Sequence, residues 1–232
     1  MFINAYKNAL AVLARKPFVL WGLSLMSGLL TILASLFFGI IPAIGVAVSY
    51  LLTCGMAKVY LDGLMGKPVY SDQLFAGFNS GCMRIIGGMA WSSLGVLIWG
   101  LVPIVGPIIA IVKAYSYRFV PYILVSCPEV SATQALRISK EQTQGLKGTM
   151  FLADFCFGLA VFVIVLVLAL FAAIPIIGVL FGLVLFIFVV LLVALSPIFQ
   201  GLYQAYFYAA KDSIRRVYQE PAPMINTFEQ NV

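Results

Sequence analysis

The chain reads as an all-α polytopic membrane protein, with six transmembrane helices forming three helical hairpins, each preceded by an interfacial amphipathic helix. Three observations lead there. The 232 residues are 63% hydrophobic and only 9% charged, with a mean hydropathy of +1.08. The apolar residues come in long unbroken runs, such as 162–171. The basic residues gather in alternate connections between those runs.

Composition comes first. Soluble domains are about 45–50% apolar and about 25% charged. A soluble chain of this length would leave large apolar patches in water, which is rare. In lipid the backbone must satisfy itself, so helices and closed barrels are the available spanning structures. A barrel needs alternating strands of roughly ten residues, and the runs here are continuous. About 20 apolar residues cross the hydrocarbon core as a helix. The runs place spans at 17–39, 43–64, 84–102, 107–126, 149–173 and 178–208. Lys7, Arg15 and Lys16 precede the first run, as in a signal peptide. The run from Pro17 to Gly39 is longer than the apolar region of such a peptide, so it is read as an uncleaved span.

The net charge is +6. Lys7, Arg15 and Lys16 precede span one, and Lys58, Lys67 and Arg84 surround the second connection. Arg137, Lys140 and Lys147 lie between spans four and five, and Lys211, Arg215 and Arg216 follow span six. The other three connections carry no charge. Basic loops face the cytoplasm, so both termini are expected there.

The uncharged connections resemble one another: 41–45, 102–106 and 174–178 each read apolar, Pro, two apolar residues, Gly. Proline ends a helix and glycine permits a tight reversal. Before each hairpin lies a polar or mixed stretch of helical character: Asn4–Arg15, Ser71–Phe78 and Ser131–Gly145. The third begins Ser131-Ala-Thr-Gln134, a capping-box pattern, and its mixed charges suit a membrane surface. The expected organisation is one domain over 1–219, with pseudo-repeats at about 1–66, 67–128 and 129–210 and a polar tail at 220–232.

The stretch from Ile111 to Pro128, followed by Ser131 to Gly145, resembles the bacterial domain of unknown function 975 family, and Leu74–Phe78 is similar to a second element of it. The resemblance departs after Asp154, where this chain is plainly apolar. The resemblance implies a multi-span protein of the bacterial cytoplasmic membrane and no particular activity.

Span four is the unusual one. It carries Lys113, Tyr115, Ser116, Tyr117, Arg118 and Tyr122, with Pro121 among them. Intramembrane charge costs at least about 2.5–3.5 kcal/mol unless paired or wetted. In a continuous helix Tyr115, Arg118 and Tyr122 share a face, and Pro121 frees the carbonyl of Tyr117. Asp154, near the start of span five, is the natural partner, and an Arg118–Asp154 contact is predicted. Lys113, Tyr115, Arg118, Tyr122, Asp154 and Gln200 are the candidate ligand-binding residues. Two readings of the pair stand side by side: a polar cavity for an anionic group, or an internal ion pair that fixes helix register. Gln200 and Gln204 either extend a polar interior or mark the exit from lipid; Tyr203, Tyr206 and Tyr208 read as an aromatic belt.

The chain has no histidine and four scattered cysteines. It shows no phosphate loop, metal cluster or nucleophile–base pair, so no enzyme, cofactor or metal is expected. Basic residues interleave with acids, which does not favour nucleic acid. The partners expected are the bilayer, with anionic headgroups at the cytoplasmic face, and a protein partner or second copy. The functional expectation is a small transporter or lipid- or anion-handling protein with a cavity near span four. The alternative is a non-catalytic membrane scaffold or partner subunit.

Overall fold

The structure, a computed structural model, describes residues 2–15, 17–37, 42–79, 81–103, 105–174 and 178–219. These are helical throughout apart from short turns and connections, and six helical segments are long and apolar enough to cross a membrane. The expected polar tail, 220–232, lies outside the described residues, as do Ile41, Ile104 and 175–177 at the three reversals.

α1 (Phe2–Arg15) buries Ala5, Ala9 and Val12 and exposes Lys7 and Asn8. That spacing of four and three residues defines one helical face, and this helix packs on α10 (Gly178–Gln219). α2 (Pro17–Phe37) runs against α3 (Pro42–Leu64), the most central helix, which also touches α10. Next comes a 3-10 turn at Ser71–Phe75 and a single α turn, α4 (Ala76–Asn79), where the sequence pattern suggested one longer helix. Two glycines bring this segment's backbone onto α3. A Cβ on Gly55 would lie 1.8 Å from the Leu74 carbonyl oxygen, and one on Gly77 would lie 2.3 Å from that of Leu51.

α5 (Cys82–Gly100) packs against α6 (Gly106–Ser116). At the reversal, a Cβ on Gly106 would approach the Trp99 carbonyl oxygen to 2.2 Å. Gly178 stands in the same relation to Ala172, at 2.4 Å. Neither glycine has positive φ. What these positions need is a missing side chain, where the sequence had suggested backbone freedom.

The predicted span four is not one helix. It is α6 and α7 (Val120–Ser126), separated by a turn at 117–119. Pro121 does not free the carbonyl of Tyr117 inside a continuous helix; that carbonyl accepts from the Val120 N–H at 3.1 Å. Pro121 sits in the first turn of α7, where its missing N–H leaves no intrahelical bond unmade. α8 (Ala132–Gln142) starts with the predicted capping box. Ser131 Oγ accepts from the Gln134 N–H at 3.3 Å, and the Gln134 side chain accepts from the Ser131 N–H at 3.0 Å. α9 (Lys147–Ala172) packs on α10, which continues eleven residues past the predicted end of span six.

Burial divides the molecule. Leu52, Cys54, Ile85, Phe119, Ile123, Met150, Leu202 and Phe207 form part of one core around the second half of α3, the whole of α7 and the start of α9. Phe162, Leu170, Val179, Leu183 and Phe186 lie open on α9 and α10. Such a surface is untenable in water and ordinary against acyl chains.

Candidate functional site

The break in the fourth span opens two backbone groups. Where α6 stops, the Ser116 carbonyl loses its helical partner; just before α7, so does the Phe119 N–H. Ser139 of α8 meets both. Its hydroxyl donates to the Ser116 carbonyl at 2.8 Å and accepts from the Phe119 N–H at 3.3 Å. Thr143, one turn on, donates to the same carbonyl at 3.4 Å and to the Ser139 carbonyl at 2.9 Å. Both hydroxyl residues are fully buried. Irregular backbone at membrane depth persists where protein supplies its hydrogen bonds.

The turn held in this way carries Arg118. Its Nη1 donates to Asp154 Oδ2 of α9, and its Nη2 lies 3.4 Å from Oδ1, so the predicted contact is present and two-pronged. The Tyr115 hydroxyl donates to the same Oδ2 at 2.7 Å, and its ring lies 5.0 Å from the guanidinium carbon. α10 supplies the rest. Arg118 Nη2 donates to the Tyr203 hydroxyl at 3.4 Å. The Gln204 amide oxygen, turned toward the guanidinium, accepts from Nη2 at 2.8 Å and Nε at 3.2 Å. A carboxylate, a phenol and an amide thus share one cation, which is how an intramembrane charge becomes tolerable.

α1 closes the neighbourhood. The Tyr6 hydroxyl donates to the Ala153 carbonyl, and its ring packs against Phe199 and Tyr203 at centroid distances of 5.2 and 5.8 Å. Burial pushes the Tyr6 hydroxyl above its usual range, helped by the nearby Cys156 and Asp154.

The other candidates make no hydrogen bond to the ion pair. Tyr122 is buried, donates to the Gly201 carbonyl at 3.0 Å and stacks on Tyr208. Its hydroxyl goes to α10 instead of the ion pair. Lys113 places its ammonium 6.0 Å from the centre of the Tyr117 ring. Gln200 joins Asp154 along a groove of about 350 Å³ between α9 and α10. A second groove, about 370 Å³, is lined by Arg118, Tyr115 and Phe151 between α6 and α9.

Three contributors were read differently from sequence. Tyr203 was placed in an aromatic belt, yet it is fully buried beside Arg118. Tyr6 was simply part of a surface helix. Arg84 was counted as a loop charge. Its guanidinium donates to the carbonyls of Leu124 at 2.6 Å, Val130 at 2.8 Å and Cys127 at 3.3 Å. It caps the C-terminal end of α7, where unpaired carbonyls carry partial negative charge.

Among the described residues no group of three metal-ligating side chains gathers. The six apolar helices fit a multi-pass α-helical membrane protein. Comparison with protein-family models, curated proteins and solved structures found no match.

Proposed function

We propose that this chain is a non-catalytic scaffold or partner subunit of a bacterial cytoplasmic membrane, with both ends in the cytoplasm. The supporting observation is the set of partners around Arg118: Asp154, Tyr203 and Gln204 come from two other spans and leave the side chain 18% exposed. A cation met on these sides by its own chain ties α6, α7, α9 and α10 into one register. The packing of α2 on α3, α5 on α6 and α9 on α10 supports three hairpin pseudo-repeats at about 1–66, 67–128 and 129–210. The one-sided burial of α1 and α8 suits surface helices that precede a hairpin. Placement in the domain of unknown function 975 family rests on the stretch 111–145 and on Leu74–Phe78. Alternation of basic connections supports the orientation and a cytoplasmic face toward anionic headgroups.

The transport or anion-handling reading draws on the groove lined by Arg118. It needs an anion to take Asp154's place on the guanidinium. Flux in sealed vesicles separates the two. With the chain reconstituted, chloride and inorganic phosphate leave no faster than from protein-free vesicles. Saturable flux that disappears in Arg118→Gln overturns the scaffold reading.

A further inference from the structure

We propose that the groove between α9 and α10 binds an amine-bearing phospholipid, its ammonium against Asp154 and its acyl chains along Phe157 and Leu192. The groove holds about 350 Å³. Asp154, Ser196 and Gln200 line it with polar groups, and Phe157, Gly158 and Leu192 with apolar ones.

The polar end has hydrogen-bonding capacity to spare. Asp154 Oδ2 takes both Tyr115 and Arg118 Nη1, whereas Oδ1 has only the long 3.4 Å contact. The Asp154 side chain stays 25% exposed. The Ser196 hydroxyl and the Gln200 amide have no hydrogen-bond partner among the described residues. Polar groups facing hydrocarbon without partners are costly, so Ser196 and Gln200, together with the spare capacity of Asp154 Oδ1, point to a polar occupant.

Charge selects the occupant's chemistry. The lining of this groove holds a carboxylate and no lysine or arginine; Arg118 meets that carboxylate from outside the groove, chiefly at Oδ2, and leaves Oδ1 the freer oxygen. An ammonium brings three N–H donors and a positive charge, while Ser196 and Gln200 can donate to the phosphate or ester oxygens behind it. An anionic headgroup without an amine brings no cationic donor to Oδ1 and meets a carboxylate whose charge Arg118 offsets only from the far side.

Depth selects a lipid. α9 has 26 residues; at 1.5 Å per residue it is about 39 Å long, against roughly 30 Å of hydrocarbon. Asp154 is seven residues past Lys147, which puts it about one turn inside the hydrocarbon edge. A headgroup drawn slightly inward reaches it from the leaflet on the Lys147 side. Gly158 borders open space, since a Cβ there would meet nothing within 4 Å, so a larger side chain at this position can enter the groove. The inference needs α9 and α10 to lie in lipid and does not rest on the scaffold reading.

The test is native mass spectrometry of the full chain in detergent, titrated with phosphatidylethanolamine, phosphatidylglycerol or free ethanolamine. The amine lipid is retained at least about tenfold more tightly than the glycerol lipid, a difference of roughly 1.4 kcal/mol. Gly158→Leu fills the groove and removes that preference with the unfolding temperature unchanged. Gln200→Leu weakens it from the polar end and carries the test should Gly158→Leu disturb the helix pair. Equal retention of both lipids, preference for the glycerol lipid, or indifference to both substitutions overturns the proposal. Displacement of the lipid by an equal concentration of free ethanolamine assigns the groove to a soluble amine and overturns it too.

Discussion

Ser139 donates its hydroxyl proton to the Ser116 carbonyl at 2.8 Å, and through that bond α8 holds the broken fourth span in place. The same oxygen receives the Phe119 N–H. Removing it leaves a buried donor and a buried acceptor short of partners, at a cost of about 1–3 kcal/mol each. Ser139→Ala therefore lowers stability by about 2–4 kcal/mol once partial relaxation and the remaining Thr143 contact are allowed for. Thr143→Val, which leaves the Ser139 bonds in place, costs less. Denaturation of the purified variants in detergent gives both values.

Arg84 gives a prediction about geometry rather than charge. One planar fork reaches two carbonyls at the end of α7 and that of Val130 in the connection to α8. Lysine carries the charge on a single point and cannot span them. Arg84→Lys and Arg84→Gln destabilise by similar amounts, about 1.5–3 kcal/mol for bonds to a charged donor. A fully stable Arg84→Lys shows that charge alone suffices there.

Glycines separate into those that touch backbone and those that touch nothing. Gly55 faces the Leu74 carbonyl, and a methyl group there forces α3 and the 3-10 turn apart. Gly55→Ala costs at least about 1–3 kcal/mol, as for other overpacked sites. Gly182 has open space around its Cβ position. Gly182→Ala is neutral or stabilising by up to about 1 kcal/mol, because alanine loses less backbone entropy in a helix. The same detergent denaturation checks the pair, and equal effects contradict the close approach.

Tyr6 links α1 to alkaline stability. Burial raises its folded-state value above 10.0, with the charges of Cys156 and Asp154 acting in the same direction. The neutral phenol is therefore favoured in the fold. The contribution is fully present below pH 10 and is lost as the pH rises from about 10 through the folded-state value. Tyr6→Phe removes the titration and flattens that limb, while lowering stability at neutral pH because the bond to the Ala153 carbonyl is gone. Unfolding temperatures between pH 8 and 11 read both effects.

Much of this was legible in the chain itself. Long apolar runs set four spans closely and the start of the sixth, and Asp154 stands out as the acid that an antiparallel neighbour brings to the depth of Arg118. The capping box at Ser131 and Gln134 is a local signal and appears as read. The break at 117–119 was not legible, because its stabilising hydroxyl lies 23 residues away from Ser116 on another helix. Treating span four as continuous gave no sign that the Tyr122 hydroxyl bonds the Gly201 carbonyl of α10. Tyr203 and Tyr6 look like interfacial aromatics in any window around them. Only the approach of α1 and α10 to Asp154 turns them inward, and Arg84 becomes a cap only when α5 meets the end of α7.

The central claim is that Arg118 and Asp154 act as one structural unit, and a double-mutant cycle measures it most directly. Stability is read for Arg118→Ala, Asp154→Ala and both together in one detergent. Each single substitution strands a charge and costs about 3–5 kcal/mol. The account predicts a double variant little worse than either single one, so that the two costs do not add. Strictly additive losses, or single variants as stable as the parent, would contradict it.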